Sequence, residues 1–167
     1  HTLSVLVENH AGVLSRIAGL FSRRGFNIDS LAVGVTENPE VSRMTIVVDG
    51  DDYIVEQVSK QLNKLVDVIK IKELEDSDSV SRELALIKVG TTASTRSEIM
   101  QITEIFRAKI IDVSKNTLTV EISGSVDKVA ALEDMLKQFG IKEIVRTGTI
   151  AIQRGNKIIK TKNSDEE

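Results

Sequence analysis

The sequence predicts an α+β protein of two tandem βαββαβ units, the ferredoxin-like arrangement in which two helices pack on one face of an antiparallel sheet. Two observations predict it. Apolar residues switch between a period of two and a period of three to four, in the same order, twice along the 167 residues. Between the repeats lies an acidic, serine-rich stretch, Glu73-Leu74-Glu75-Asp76-Ser77-Asp78-Ser79, which reads as a linker. The expected boundaries are a first unit at residues 1–73, a linker at 74–82, a second unit at 83–154 and a flexible tail at 155–167.

In the first unit Leu3, Val5 and Val7 alternate as a strand, with Leu6 apolar on the other face. Val13, Leu14, Ile17, Leu20 and Phe21 recur at helical spacing, and Gly25 suits the left-handed cap that ends the helix. Residues 26–35 read as a second strand, 36–40 as a turn carrying the one proline, and 41–48 as a third strand with Met44, Ile46 and Val48 on one face. Asp51 or Asp52 can cap a helix whose stripe is Ile54, Val55, Val58 and Leu62, and residues 65–71 close the unit as a strand. The second unit repeats this. A strand spans 84–89, and Thr95 with Glu98 suggests a capping box ahead of Ile99, Ile102, Ile105 and Phe106. A hairpin joins 110–113 to 118–122. Ser125 can cap a helix bearing Val129, Leu132, Met135 and Leu136 that closes at Gly140, and 141–152 reads as one final strand. Each unit is the size of a marginal small domain. Each sheet has one face without cover from its own helices, so the first unit is expected to form a homodimer through a sheet edge or face.

Composition narrows the function classes. Hydrophobic residues make up 41% and aromatics only 3%, so the cores must be aliphatic. A net charge of -3 gives no general push toward nucleic acid or anionic membrane. No cysteine is present, which removes disulfides, thiolate catalysis and cysteine-ligated metals, and fits a reducing compartment. No apolar run approaches a membrane span. Bacterial cytoplasm is the expected setting, with a plastid as the alternative.

The chemistry-bearing pattern sits between the first strand and the first helix. Asn9 offers an amide carbonyl for an ammonium and amide N–H groups for a carboxylate. Gly12 lets backbone approach a ligand, and the N–H groups around Ala11, Gly12 and Val13 point out of a helix start that favours an anion. On pattern alone the plainer reading, a turn residue and a glycine that permits the bend, outweighs a site. The same holds for Asn27, which opens the second strand. Topology joins them: the first loop and the start of the second strand can face a symmetry mate, giving one composite pocket for a free amino acid. His10, the one internal histidine, reads as a loop residue that can touch a ligand or titrate near neutral pH. No second internal histidine or paired acidic motif accompanies it, which argues against a metal. Ser15 and Ser22 lack a base and an orienting acid. Arg16, Arg23 and Arg24 read as the solvated helix face. Gly12, Gly19 and Gly25 have the wrong spacing for a dinucleotide fingerprint. Lys157, Lys160 and Lys162 read as part of the tail.

Several blocks together resemble one family. They are residues 3–9 with Gly12, Arg23-Arg24-Gly25-Phe26-Asn27-Ile28-Asp29-Ser30-Leu31, Ser42-Arg43-Met44-Thr45, Gln61-Leu62-Asn63-Lys64-Leu65-Val66-Asp67-Val68 and residues 103–113. In order, and over nearly the whole chain, they resemble the small regulatory subunit of acetohydroxyacid synthase (acetolactate synthase). The resemblance implies an ACT domain at residues 1–73 and no catalytic residue in this chain. It implies a partner, the thiamine-diphosphate-dependent large subunit of branched-chain amino-acid biosynthesis, which this chain activates and renders sensitive to feedback, usually by valine. Thiamine diphosphate, magnesium and FAD are then expected only in the large subunit. The effector residues it implies are Asn9, Ala11, Gly12, Val13 and Leu14 on one chain, with Asn27 and Ile28 on its dimer mate. The alternative is a stand-alone tandem amino-acid sensor controlling another enzyme.

Overall fold

The computed structural model describes residues 1–159. It divides into two compact units, one of residues 1–80 with 149 onward, the other of residues 81–148. In the first unit β1 (Thr2–Glu8), α1 (Val13–Arg24), β2 (Ile28–Val35), β3 (Val41–Val48), α2 (Asp52–Asn63) and β4 (Val68–Leu74) succeed one another along the chain. The sheet runs β2-β3-β1-β4 and is antiparallel throughout. Leu3, Val5 and Val7 of β1 and Met44, Ile46 and Val48 of β3 face Ile17, Leu20 and Phe21 of α1 and Val55, Val58 and Leu62 of α2, making one aliphatic core.

The second unit has the same plan. β5 (Ser79–Gly90) leads to α3 (Arg96–Ile105), β6 (Lys109–Val113), β7 (Thr117–Gly124), α4 (Val126–Leu136) and β8 (Ile141–Arg146), in sheet order β6-β7-β5-β8. Ala85, Ile87 and Val89 pack with Ile99, Ile102, Val129, Leu132 and Leu136 in its core. The protein is thus α+β, with tandem ferredoxin-like units. Not every residue on the expected stripes is inside: Leu14, Ile105 and Met135 are exposed.

Backbone chemistry decides the ends. Gly25 takes φ +67 after α1, and the Phe26 N–H reaches back to the Phe21 carbonyl, so Phe26 closes the helix and β2 starts later than expected. The Phe21 and Phe26 rings meet edge to face at 6.0 Å. Leu65 and Asp67 are spent in a turn, where the Leu65 N–H binds the Leu62 carbonyl and the Val68 N–H binds the Leu65 carbonyl, so β4 runs Val68–Leu74 rather than 65–71. Asp51 caps α2 through the Ile54 N–H, and Ser125 caps α4 through the Lys128 N–H. The capping box expected at Thr95 and Glu98 does not form: the Thr95 side chain makes no cap bond to α3, because its hydroxyl accepts from the Thr92 N–H while the Thr92 hydroxyl accepts from the Thr95 N–H in the turn ahead of the helix.

The chain end departs most from expectation. The segment 74–82 holds a 3-10 turn at Asp76–Asp78 and the beginning of β5 rather than a free linker. The single strand expected over 141–152 breaks at Thr147-Gly148-Thr149. Gly148 has φ +77, and the Thr147 hydroxyl both accepts from the Leu84 N–H and donates to the Gly148 carbonyl. Past this break the chain forms β9 (Ile150–Gln153), which belongs to the first unit and lies against β1 and β4. The Thr149 N–H binds Ser30 Oγ at 2.9 Å, and the Arg154 N–H binds the Asp78 carbonyl at 2.9 Å. Lys157 Nζ meets Asp78 Oδ2 at 2.7 Å, so the start of the expected flexible tail is tied down. Lys160, Lys162 and the rest of that tail lie outside the described residues. The non-helical face of the first sheet, expected to be bare, is therefore covered by the unit's own returning segment, and Ser4 and Leu6 on it are buried.

Gly25→Ala tests the cap at α1. A Cβ there has nothing within 4 Å to strike, so the cost is the left-handed backbone alone. The variant is expected to lose about 1–2 kcal/mol of unfolding free energy in urea denaturation. An unchanged midpoint and slope would show that the cap contributes nothing.

Candidate functional site

Three loops meet at one end of the first unit: the β1–α1 loop, the β2–β3 turn and the α2–β4 turn. Gly12 stands at the N-terminus of α1 with φ +89, a conformation that disfavours any side chain. It supplies no cap, and no acidic residue occupies the first turn. The N–H groups of Val13, Leu14 and Ser15 therefore point outward without a capping side chain, where the helix dipole favours an anion. Of the other helices, α2 and α4 are capped by the side chains of Asp51 and Ser125, while α3 has no side-chain cap at Thr95.

Asn9 laces the first loop to the second. Its N–H binds the Glu40 carbonyl at 2.8 Å, and its side-chain Nδ2 donates to the Pro39 carbonyl at 2.8 Å. That amide N–H is thus committed within the chain. Asp67 laces in the third. Its carbonyl accepts from the Glu8 N–H at 2.9 Å, and its carboxylate, only 4% exposed, accepts from Arg16 Nε at 2.5 Å. His10 Nε2 lies 3.2 Å from the other Asp67 oxygen and 2.9 Å from Glu8 Oε2, and its Nδ1 faces the Ala11 carbonyl at 3.3 Å.

These contacts set the charges. The hydrogen bond from Arg16 holds the Asp67 carboxyl below the usual carboxylate range, with His10 adding to the effect. The hydrogen bond to Glu8, then the Ala11 carbonyl, raises the His10 imidazole above 6.5. Glu8, His10 and Asp67 also bring three metal-type donor atoms within 4.8 Å of one another. The Arg16 guanidinium on Asp67 already supplies a cation there, which opposes a metal ion at the same carboxylate.

The predicted residues divide. Asn9, Ala11 and Gly12 are exposed in the loop, and Leu14 is 48% exposed beside them. Val13 is a core residue and offers this surface only its N–H. Asn27 is exposed just before β2, its carbonyl accepting from the Asp49 N–H and its Nδ2 donating to Asp49 Oδ2 at 3.4 Å. Ile28 half-packs on the core. Asn9 therefore sits before β3 and Asn27 beyond its far end, separated by eight residues of strand. At about 3.3 Å per residue that is roughly 26 Å. One chain alone does not bring the two groups together. Arg16 and Asp67 are additions to the site that the sequence reading lacks. The four-residue step from Gly12 to Arg16 is a signal for the first, since it stacks the guanidinium over the glycine. Asp67 carries no local signal.

The charge network predicts its own pH dependence. Asp67, with a lowered value, contributes stability above about pH 4 that is lost on acidification. His10, with a raised value, contributes stability present below 6.5 and lost as pH rises through its folded value. Both hold between those limits. Proton NMR of the His10 ring should give a midpoint above 6.5, falling toward it in Glu8→Gln. A midpoint unmoved by that substitution would remove Glu8 as the cause.

Comparison with known proteins identifies the family. The family described as "AHAS small subunit-like ACT domain" matches residues 3–70, and that described as "Small subunit of acetolactate synthase" matches residues 82–155. The acetolactate synthase small subunit of Mycolicibacterium smegmatis is 56% identical over 93% of this chain and 91% of its own. That of Mycobacterium bovis is 56% identical over 96% of both chains. The crystal structure of the acetolactate synthase small subunit from Thermotoga maritima superposes with a TM-score of 0.87 at 47% identity, covering 93% of this chain and 98% of that one. The chain belongs to the acetolactate synthase small-subunit family, whose members carry an N-terminal ACT domain and are regulatory rather than catalytic, the catalysis residing in the large subunit.

Proposed function

We propose that the chain activates its large subunit and makes it sensitive to valine, by binding valine between the first units of two copies. The observation that carries this reading is the separation of Asn9 from Asn27 along β3. β2 is an edge strand, and Leu31, Val33 and Val35 along it are exposed. A second copy pairing β2 with β2 in antiparallel fashion about a two-fold axis lays Ile28 of one chain near Val35 of the other. Val35 lies beside the β2–β3 turn, which Asn9 grips. The loop of one copy and the strand start of the other then border one pocket, twice per dimer.

In that pocket the valine carboxylate meets the uncapped N–H groups after Gly12. Its ammonium meets an amide or carbonyl near Asn9 and Asn27. Its isopropyl group rests against Leu14 and Ile28. The ligand bridges two chains and so favours one dimer geometry, and a coupling of about 1–3 kcal/mol is enough for strong feedback on the large subunit. Thiamine diphosphate, magnesium and FAD belong to that partner. Among the described residues no helix is long and apolar enough to cross a membrane, and cytoplasm is the setting this role requires. The competing reading, a stand-alone sensor of another enzyme, is separated by co-purification with a large thiamine-dependent partner.

Thermal unfolding against valine, leucine, isoleucine, serine, glycine and threonine tests the reading. A ligand at about a hundred times its dissociation constant adds roughly 2.7 kcal/mol, a rise of roughly 5–10 °C for a chain this size. Gly12→Asp should abolish the valine shift while activation survives. It sets an anion where a carboxylate must sit, at the added cost of the left-handed backbone and of a Cβ 3.0 Å from Arg16 Nη1. Wild-type valine affinity in that variant by calorimetry would rule the site out. Asn27→Ala should weaken valine and leave activation intact; the reverse pattern would mean that the sensing and activating surfaces are exchanged.

A further inference from the structure

We infer that Arg16, held by Asp67, is the residue that selects a free α-carboxylate in the effector pocket, so that the site takes amino acids and discriminates against their amides. The inference rests on the proposed valine pocket between two copies. Arg16 lies one helical turn past Gly12, and a Cβ built on Gly12 would stand 3.0 Å from Arg16 Nη1 and 3.7 Å from Cζ. The guanidinium therefore overhangs the loop backbone where the α1 N–H groups emerge. Its Nε is committed to Asp67 Oδ2, and among the described residues neither Nη is hydrogen-bonded. The side chain is about half exposed while its anchor is buried, which turns the Nη edge outward toward the site.

The pairing leaves Arg16 suited to this work. Asp67 takes the Nε side and shares its second oxygen with His10, whose ring also meets Glu8. The charged groups around the guanidinium are thus Asp67 from the α2–β4 turn, His10 from the loop and Glu8 from β1. Anchoring at Nε removes most of the rotamer freedom that a long side chain loses on binding, so less is lost when a ligand arrives. A carboxylate set between the α1 N–H groups and the two Nη groups receives charge-assisted hydrogen bonds from both. A neutral carboxamide in the same place accepts weaker bonds and turns an NH2 group toward these donors, so it is rejected.

Calorimetry on the full chain with valine and valinamide tests this. The wild type should prefer valine strongly. Arg16→Gln should weaken valine roughly 20-fold or more, from loss of charged hydrogen bonds, while valinamide affinity stays put, so that the preference collapses. Arg16→Lys should restore part of it, and Asp67→Asn, which frees the guanidinium, should lower valine affinity less than Arg16→Gln does. Asn27→Ala should weaken valine and valinamide alike. Arg16→Gln with wild-type preference, or with both ligands weakened equally, overturns the assignment and leaves Arg16 a structural residue. A wild type that binds neither ligand overturns the pocket itself, a result distinct from either.

Discussion

The buried carboxylate of Asp67 is the contact on which the loop end of the first unit depends. Its carbonyl takes the last N–H of β1, and its carboxylate takes Arg16 from α1 and His10 from the loop. One residue of the α2–β4 turn thus fixes the exit of a strand, the first turn of a helix and the loop between them. Burying a carboxylate is tolerable only when its charge and lone pairs are matched. Asp67 is matched by partners that are themselves half exposed, so its placement organises a surface rather than a core. The left-handed backbone at Gly12 completes the arrangement by starting α1 without a capping side chain.

The second unit shows what the same architecture does when that end is closed. The Thr91 N–H binds the Asn116 carbonyl, as the Asn9 N–H binds the Glu40 carbonyl, so loop and turn are laced alike. There the likeness stops. Thr92 and Thr95 bond each other in the turn before α3, and Nη2 of Arg96 is spent on the Ser114 and Lys115 carbonyls. Arg96 is therefore tied to the facing turn, whereas among the described residues neither Nη of Arg16 is hydrogen-bonded. The two units share topology and differ in how the arginine of the first helix turn is held, by Asp67 in the first and by the facing turn in the second.

A regulatory subunit must be stable as a scaffold and adjustable where it senses. The aliphatic cores supply the first, with interdigitated side chains that resist deformation. Outward-facing backbone groups are found instead on the edge strand β2 and in the loops. Ser30 on β2 also receives the Thr149 N–H, so the strand that opens at Ile28 is in direct contact with the segment that returns as β9. With that segment on the sheet face, β2 remains an exposed edge of the sheet.

The order of elements, the aliphatic cores and most helix ends were legible in the sequence by itself. They depend on local rules: apolar period, the left-handed glycine at 25, and hydroxyl or carboxylate caps at Asp51 and Ser125. The loop of Asn9 and Gly12 stood out for the same reason. Tertiary structure decided what depends on residues far apart in the chain. Asp67 and Arg16 meet across fifty-one positions, and nothing local to either announces it. The break at Gly148 and the return of β9 to the first unit arise because that sheet face needs cover, a demand that periodicity over 141–152 does not express. The separation of Asn9 from Asn27 comes from strand order, since β3 runs between them. Sequence position alone does not say which ends of two strands lie together, because that is set by hydrogen-bond pairing in the folded sheet.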